Sequence, residues 1–158
     1  MKTFRNIIQT LIIALLASEL SLSLAACNGS GEQQSAPAQT LASATVSRDG
    51  SYTSKEDIAL YLHTYGELPS NFISKTKARE AGWDPQKGNL DEVCPGKSIG
   101  GSAFYNDDNA LPDAPNRTWR ECDVNYQGGH RGPERIVYSN DGLIYYTPDH
   151  YKTFERLY

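Results

Sequence analysis

The sequence predicts an α+β fold, in which N-terminal helices pack on a C-terminal antiparallel sheet of five strands. Helical spacing of apolar residues is confined to the chain before residue 98. From residue 98 onward, short strand-like runs are separated by turn clusters such as Ser139-Asn140-Asp141-Gly142. Helices followed by a run of strands are typical of α+β proteins.

The first fifty of the 158 residues lie outside this predicted domain. Lys2 and Arg5 precede the apolar run 12–17, and this order indicates an export signal over residues 1–26. Glu19 disfavours a membrane span, because a carboxylate within the bilayer is costly. Residues 27–50 are rich in Ser, Ala, Gln, Gly and Thr, which predicts a flexible tether. The folded domain therefore occupies residues 51–158 and has room for one small core.

The predicted signal ends in Leu24-Ala25-Ala26-Cys27, which resembles the lipobox of bacterial lipoproteins. In those proteins the cysteine carries several acyl chains, which together give stable anchoring. We therefore expect an exported protein that is extracellular or lipid-anchored at the bacterial cell envelope, and that meets the membrane only through Cys27. The alternative is ordinary cleavage after Ala26, which leaves an exposed thiol.

The chain has three cysteines. If Cys27 carries lipid, Cys94 and Cys122 can pair in a disulfide, which would stabilise the fold by about 3 to 4 kcal/mol. Neither belongs to a CxxC pair and no histidine lies at ligand spacing from them, which disfavours zinc. The sequence thus predicts a disulfide and no metal or other cofactor.

Two helices are predicted ahead of the sheet, followed by a short helical segment or turn from Lys87. The first begins after Ser54, with an apolar face of Ile58, Tyr61, Leu62 and Tyr65, and ends at Gly66. The second runs from a cap at Ser74 through Ala81. Lys75 lies in its first turn, against the preference of the helix dipole, so it is either an ordinary surface lysine or faces a phosphate. The five predicted strands are 99–104, 117–125, 135–138, 143–147 and 153–157.

Charge restricts the kind of site that this domain can offer. Residues 51–158 carry twelve Lys and Arg against sixteen Asp and Glu, so the domain lacks a broad basic surface. Any binding of nucleic acid must be concentrated in one local positive pocket. The chain also has no GxxxxGK phosphate loop, so nucleoside triphosphate chemistry has no support.

The stretch 116–135 carries the candidate chemistry. Alternation along its strand puts Glu121 on the same face as Trp119, where loss of water would raise the carboxyl pKa toward the range of a general base. Arg131 and Arg135 follow in a glycine-rich loop and offer planar donor forks for phosphate oxygens. The alternative is an ordinary ion pair of Glu121 with one of the neighbouring arginines, Arg117, Arg120 or Arg135.

His150 follows the fourth predicted strand and is the candidate acid, since histidine can release a proton near neutral pH. An acid, a base and nearby cations suit transesterification of RNA. Glu121 would deprotonate a ribose 2′-hydroxyl, and His150 would protonate the departing 5′-oxygen. Lys75, Arg131 and Arg135 would stabilise the extra negative charge. The alternative is an ion-pair network with no substrate.

Six segments carry a resemblance to the barnase-type ribonucleases, small secreted bacterial enzymes that prefer guanine. They are ELPSNFISKTKAREAGW, KGNLDEV, PGKSIGG, RTWRECDVNY, ERIVYS and LIYYTPDHYKTF. The resemblance spans residues 51–158 and implies the microbial ribonuclease fold. It also implies that Glu121 is the base, that His150 is the acid, and that Lys75, Arg131 and Arg135 bind phosphate.

The base-recognition loop of that family falls on residues 104–109. Phe104, Asn106, Asp108 and Tyr151 are the substrate-binding residues that the resemblance implies. Asp107 stands where relatives carry an arginine, and Asp108 replaces a glutamate that binds guanine. Cys94 and Cys122 stand where barnase has alanine, which fits an added disulfide.

The sequence thus predicts a monomeric, metal-independent endoribonuclease that cleaves single-stranded RNA, preferably after guanine, through a 2′,3′-cyclic phosphate. The family also implies a small acidic inhibitor protein as a partner, although the acidic surface disfavours tight binding of the known type. The alternative is a catalytically silent RNA- or protein-binding lipoprotein that kept the fold. The presence of all five chemical residues argues against it.

Overall fold

The computed structural model describes residues 45–158. The predicted signal, Cys27 and most of the predicted tether fall within residues 1–44, outside the described part of the chain. Export and lipid attachment therefore stay predictions. Within residues 45–158, no helix is both long enough and apolar enough to cross a membrane.

Three helices precede the main sheet, and local sequence sets their ends. Helix α1 spans Lys55–Tyr65, and the Ser54 side chain accepts a hydrogen bond from the Asp57 N–H at 3.1 Å. Gly66 ends α1 in the left-handed conformation that glycine adopts without steric cost. Helix α2 spans Lys75–Glu80 and α3 spans Leu90–Val93. The two helices predicted from Ser54 and Ser74 are both confirmed.

The sheet has six strands that neighbour one another in chain order. They are β1 Phe72–Ile73, β2 Ser98–Phe104, β3 Trp119–Asp123, β4 Arg135–Ser139, β5 Ile144–Thr147 and β6 Glu155–Arg156. Strands β2 to β6 pair antiparallel, as predicted, whereas β1 adds a parallel edge to β2. The predicted α+β fold is confirmed with one more strand, β1, which exists only through its parallel pairing with the distant β2.

Alternation along the strands separates two faces of the sheet. Ile136, Cys122 and Ile144 face α1 and form a core with Ile58 and Leu62. On the other face, Val137 and Trp119 pack with Leu111, Phe154 and neighbouring aromatic rings. Each fully buried aliphatic side chain contributes about 1.5 to 3 kcal/mol. The face away from α1 also carries Glu121 and Asp123, so the sheet supports the candidate site on that face.

The predicted disulfide is wrong in this structure. Cys94 and Cys122 are both free and buried. Cys122 lies under α1, with Gly100 packed so closely that an added Cβ there would come within 2.9 Å of the Cys122 Cβ. Cys94 belongs to a separate cluster with Trp83, Leu90 and Ile99. The two thiols therefore pack in two different hydrophobic clusters. Burial raises the pKa of the Cys122 thiol, which makes it unreactive.

Candidate active site

Glu121 is a buried carboxylate on β3 with two direct partners. Only 6% of the residue is exposed. Lys75 Nζ lies 2.7 Å from Oε1, and the Tyr151 hydroxyl donates to Oε2. Lys75 is the first residue of α2, so the start of that helix delivers the ammonium group to the sheet. Lys75 was expected to be either an ordinary surface lysine or a lysine that faces a phosphate. In the structure it binds a carboxylate of the protein at the candidate site.

The pKa of Glu121 is lowered, which contradicts the expectation from its buried surroundings. Burial is the largest influence and raises the pKa. Hydrogen bonds from Lys75 and Tyr151, together with the charges of Lys75 and Arg135, lower it by more in sum. The carboxylate is therefore ionised at neutral pH. The alternative ion pairs with Arg117 and Arg120 do not form, since Arg117 binds Asp141 and Arg120 donates to the Gly101 carbonyl oxygen.

Asp123, which was not predicted as a site residue, lies two residues further along β3 on the same face. Its carboxylate accepts two hydrogen bonds from Arg131, Nε to Oδ2 at 2.6 Å and Nη2 to Oδ1 at 2.5 Å. The register of β3 with β4 places Arg135 directly opposite Asp123. The parity that selected Glu121 also selects Asp123, so the signal was present in the sequence.

Arg135 is almost fully buried and is held mainly by backbone oxygens. Its Nη1 donates to the carbonyl oxygens of Gly132 and Glu134 at 2.7 and 2.6 Å. Its Nε lies 3.0 Å from Asp123 Oδ1, close enough for an ion pair. That N–H is not aligned for a hydrogen bond and has no hydrogen-bond partner among the described residues. Asp123 therefore balances the charge of Arg135 although the two groups make no well-aligned hydrogen bond.

His150 and Tyr151 lie in a tight turn after β5. Both have positive φ, 57° and 72°, an uncommon conformation for residues with side chains. The His150 N–H donates to the Pro133 carbonyl oxygen, and the Tyr151 N–H donates to Thr147 Oγ1 at 2.9 Å. Asp149 closes the turn through hydrogen bonds to its neighbours. This backbone leaves the His150 side chain exposed and turns the Tyr151 hydroxyl toward Glu121.

A cavity of about 440 Å³ brings the predicted acid and the two arginines together. His150, Arg131 and Arg135 line it, along with Trp83 and His130. Two arginines make this cavity a local concentration of positive charge in an acidic domain. The acidic composition would confine any binding of nucleic acid to a pocket of this kind.

The loop 104–109 is joined to the site through aromatic packing. The Phe104 ring lies 5.2 Å from the Tyr151 ring, between centroids. The Asn106 side chain closes the loop, donating to the Leu111 carbonyl oxygen at 2.7 Å and accepting from the Leu111 N–H at 2.9 Å. Asp108 is exposed. The loop lines a separate cavity of about 330 Å³, so Asn106 and Asp108 do not share the cavity of His150.

Comparisons with known proteins identify the family of this chain. A family model described as ribonuclease matches residues 55–158. The chain belongs to this ribonuclease family. A ribonuclease of Heyndrickxia coagulans is 54% identical over 102 residues, which cover 65% of this chain and 94% of the relative. Ribonucleases of Bacillus intermedius and Bacillus pumilus are each 54% identical over 102 residues, covering 65% of this chain and 63% of each relative.

Membership of the ribonuclease family confirms the resemblance drawn from the sequence motifs, and with it an RNA-cleaving activity. The matched residues contain the whole candidate site, from Lys75 to Tyr151. Among residues 45–158 no group of three or more His, Cys, Asp and Glu side chains could hold a metal ion. The independence of this ribonuclease from metal stays a prediction.

Proposed function

We propose that this ribonuclease is an endonuclease of single-stranded RNA that cuts preferably after guanine by transesterification, followed by hydrolysis of the 2′,3′-cyclic phosphate. In the first step the ribose 2′-oxygen attacks the neighbouring phosphorus and the bond from phosphorus to the 5′-oxygen breaks. One group must accept the 2′-hydroxyl proton and another must supply a proton to the 5′-oxygen.

Glu121 is the proposed base. Its lowered pKa makes it a weaker base, but keeps it ionised across the neutral range and ready to accept a proton. Lys75 and Tyr151 fix one oxygen each, which orients the carboxylate in advance. Lys75 also supplies positive charge beside the position of the reacting phosphate.

Arg131 and Arg135 are the proposed phosphate-binding residues. Asp123 holds the Arg131 guanidinium by two hydrogen bonds, so the positive groups need no reorganisation during the reaction. Arg135 lines the same cavity and adds a second fixed positive charge for the phosphate oxygens. Because the charge on those oxygens grows in the transition state, fixed donors accelerate the chemical step.

His150 is the proposed acid. It is exposed at the rim of the cavity lined by both arginines, so it can approach the leaving oxygen and exchange protons with water. In the second step the roles reverse: His150 takes a proton from water, and Glu121 returns one to the 2′-oxygen. DNA lacks the 2′-hydroxyl and would not react.

The guanine preference rests on the loop 104–109. Asp108 is exposed and its carboxylate can accept from two N–H groups on the guanine edge. The contact between Phe104 and Tyr151 links this loop to the reacting carboxylate. A base bound at the loop would thus lie close to the scissile phosphate.

One observation carries the proposal: a preoriented, ionised carboxylate lies beside a cavity that holds two fixed arginines and an exposed histidine. The test is cleavage of a short RNA with one internal guanine, in the presence of a chelator, by the wild type, Glu121→Ala and His150→Ala. We expect a cyclic phosphate after guanine from the wild type and a loss of about 100-fold or more in each variant.

An RNA of the same length without guanine is the substrate control. Cutting at the same rate in both RNAs would overturn the base preference. Products that carry a 3′-hydroxyl would overturn transesterification, and no cleavage by the wild type would favour the silent binding protein.

A further inference from the structure

The loop that carries Arg131 packs against a segment of the chain that contains none of the proposed catalytic residues. Residues 86–91 comprise the end of the connection that follows α2 and the first two residues of α3, and they pack on residues 126–130. Asp91 Oδ1 accepts a hydrogen bond from the Gly129 N–H at 3.1 Å. The Tyr126 hydroxyl lies 3.3 Å from the same oxygen and 3.1 Å from the Gly129 carbonyl oxygen, so it can donate to either. One carboxylate and one hydroxyl thus bind both polar groups of the Gly129 backbone.

The charge state of Asp91 agrees with this role. The Gly129 N–H is the main cause that lowers the pKa of Asp91, with smaller contributions from its own N–H and from the Tyr126 hydroxyl, against the effect of burial. Asp91 therefore stays ionised at neutral pH, and a charged acceptor makes a stronger hydrogen bond than a neutral one.

Close backbone packing leaves the loop little room on this side. A Cβ added at Gly88 would lie 2.9 Å from the Gly129 carbonyl carbon and from the His130 nitrogen. A Cβ added at Gly128 would lie 2.9 Å from Asp91 Oδ2. His130 Nε2 lies 3.1 Å from the Gln86 carbonyl oxygen, to which a protonated Nε2 donates. The segment 86–91 therefore meets the loop at several consecutive residues.

The loop needs such anchors because of its composition. Gly128 and Gly129 both have positive φ, and Gly132 follows Arg131. Glycine has the largest backbone freedom of all residues, so this loop has little stiffness of its own. Asp123 fixes only the end of the Arg131 side chain, and the two groups could shift together if the backbone moved.

We propose that Asp91 is a positioning residue of this ribonuclease, which sets the place of Arg131 in the cavity by fixing the Gly129 backbone. The inference rests on the proposed role of Arg131 in binding phosphate. Asp91 itself does not line the cavity and acts through Gly129, which does.

The test is a double-mutant cycle on RNA cleavage with the folded protein. Asp91→Ala should lower kcat/KM about 10- to 100-fold, because a shift of about 1 Å in a positioning group has an effect of that size. Asp91→Asn keeps an oxygen acceptor and should retain most of the activity. Glu92→Ala removes the neighbouring exposed carboxylate on α3 and should leave the rate unchanged. Thermal unfolding of each variant reports whether it is folded.

The second half of the cycle repeats Asp91→Ala in an Arg131→Ala protein. If Asp91 acts through Arg131, the second substitution should cause no further loss. A merely structural role would give the same loss with and without Arg131, and that result overturns the proposal. If Asp91→Ala does not fold, Tyr126→Phe removes one hydrogen bond from the same group and should give a smaller loss that also depends on Arg131.

The outcome separates this inference from the proposed function. Equal rates in the wild type and Asp91→Ala, with the expected cyclic phosphate from both, overturn the inference alone. A wild type that cleaves no RNA overturns the proposed function and the inference with it.

Discussion

Glu121 and Asp123 lie two residues apart on the same face of β3, yet the fold gives them different surroundings. Glu121 is bound by one ammonium group and one hydroxyl. Asp123 is bound by one arginine through two hydrogen bonds and lies in ion-pair contact with a second. Glu121 is bound by two groups that each hold one oxygen, whereas Asp123 is held by two arginines.

The difference shows how a small acidic domain can build a positive pocket. Two arginines placed together without a counter-charge would repel each other and would be costly to bury. The buried carboxylate of Asp123 offsets part of the cost of burying the two arginines, and both arginines still line the cavity. One carboxylate therefore supports the structure of the site and the other is available for its chemistry.

The largest expected effect separates the two carboxylates by activity. Glu121→Gln keeps the size of the side chain, but it replaces one of the two acceptor oxygens with an amide nitrogen and cannot accept the proton. We expect kcat/KM on RNA to fall about 10²- to 10⁴-fold, while the free energy of unfolding falls by about 1 to 3 kcal/mol, because a hydrogen bond to a charged group is lost. Cleavage kinetics and chemical denaturation measure the two quantities. Glu80→Gln, at an exposed carboxylate on α2, is the control and should change neither. A variant that keeps full activity would remove Glu121 from the role of base.

The second prediction concerns stability. Asp123→Asn leaves Arg131 and Arg135 without their shared counter-charge, and breaking a buried ion pair in this way costs about 3 to 5 kcal/mol. Chemical denaturation should show a loss of that size together with reduced cleavage. Asp49→Asn removes one exposed carboxylate and controls for the change in net charge. If Asp123→Asn were as stable as the wild type, the distinction between the two carboxylates would fail.

The smallest expected effect is a shift along the pH axis. Lys75 lowers the pKa of Glu121 against the opposing effect of burial, so Lys75→Ala should raise that pKa. The base must be ionised to act, and kcat/KM should therefore begin to fall at a higher pH in the variant as the solution is acidified. The pH dependence of kcat/KM tests this, with Lys77→Ala on the exposed side of α2 as the control. A shift to lower pH, or none, would mean that other partners dominate the pKa.

Local signals predicted most of the fold. Ser54 and Gly66 bound α1 where their cap preferences predict, and alternation placed the five antiparallel strands to within a few residues. Strand β1 was missed because its two residues pair in parallel with β2, about 26 positions further along the chain, whereas the equally short β6 pairs with the strand that precedes it. Its existence depends on a contact that no local pattern encodes.

The site was predicted in part. Strand parity identified Glu121. The glycine-rich loop, together with the family motifs, identified Arg131. The expected direction of the Glu121 pKa was wrong because burial was considered without Lys75 and Tyr151, which come from α2 and from the turn after β5. The predicted disulfide was wrong because counting cysteines does not reveal which core each one enters.

The sequence by itself determined the order of helices and strands, the family, and the residue types available for cleavage, because caps, periodicity and motifs are properties of neighbouring residues. Only the tertiary structure decided which charges meet. The register of β3 and β4 placed Arg135 opposite Asp123, and the start of α2 brought Lys75 to Glu121. Electrostatic interactions depend on distances of a few ångströms between residues far apart in the chain, and folding alone sets those distances.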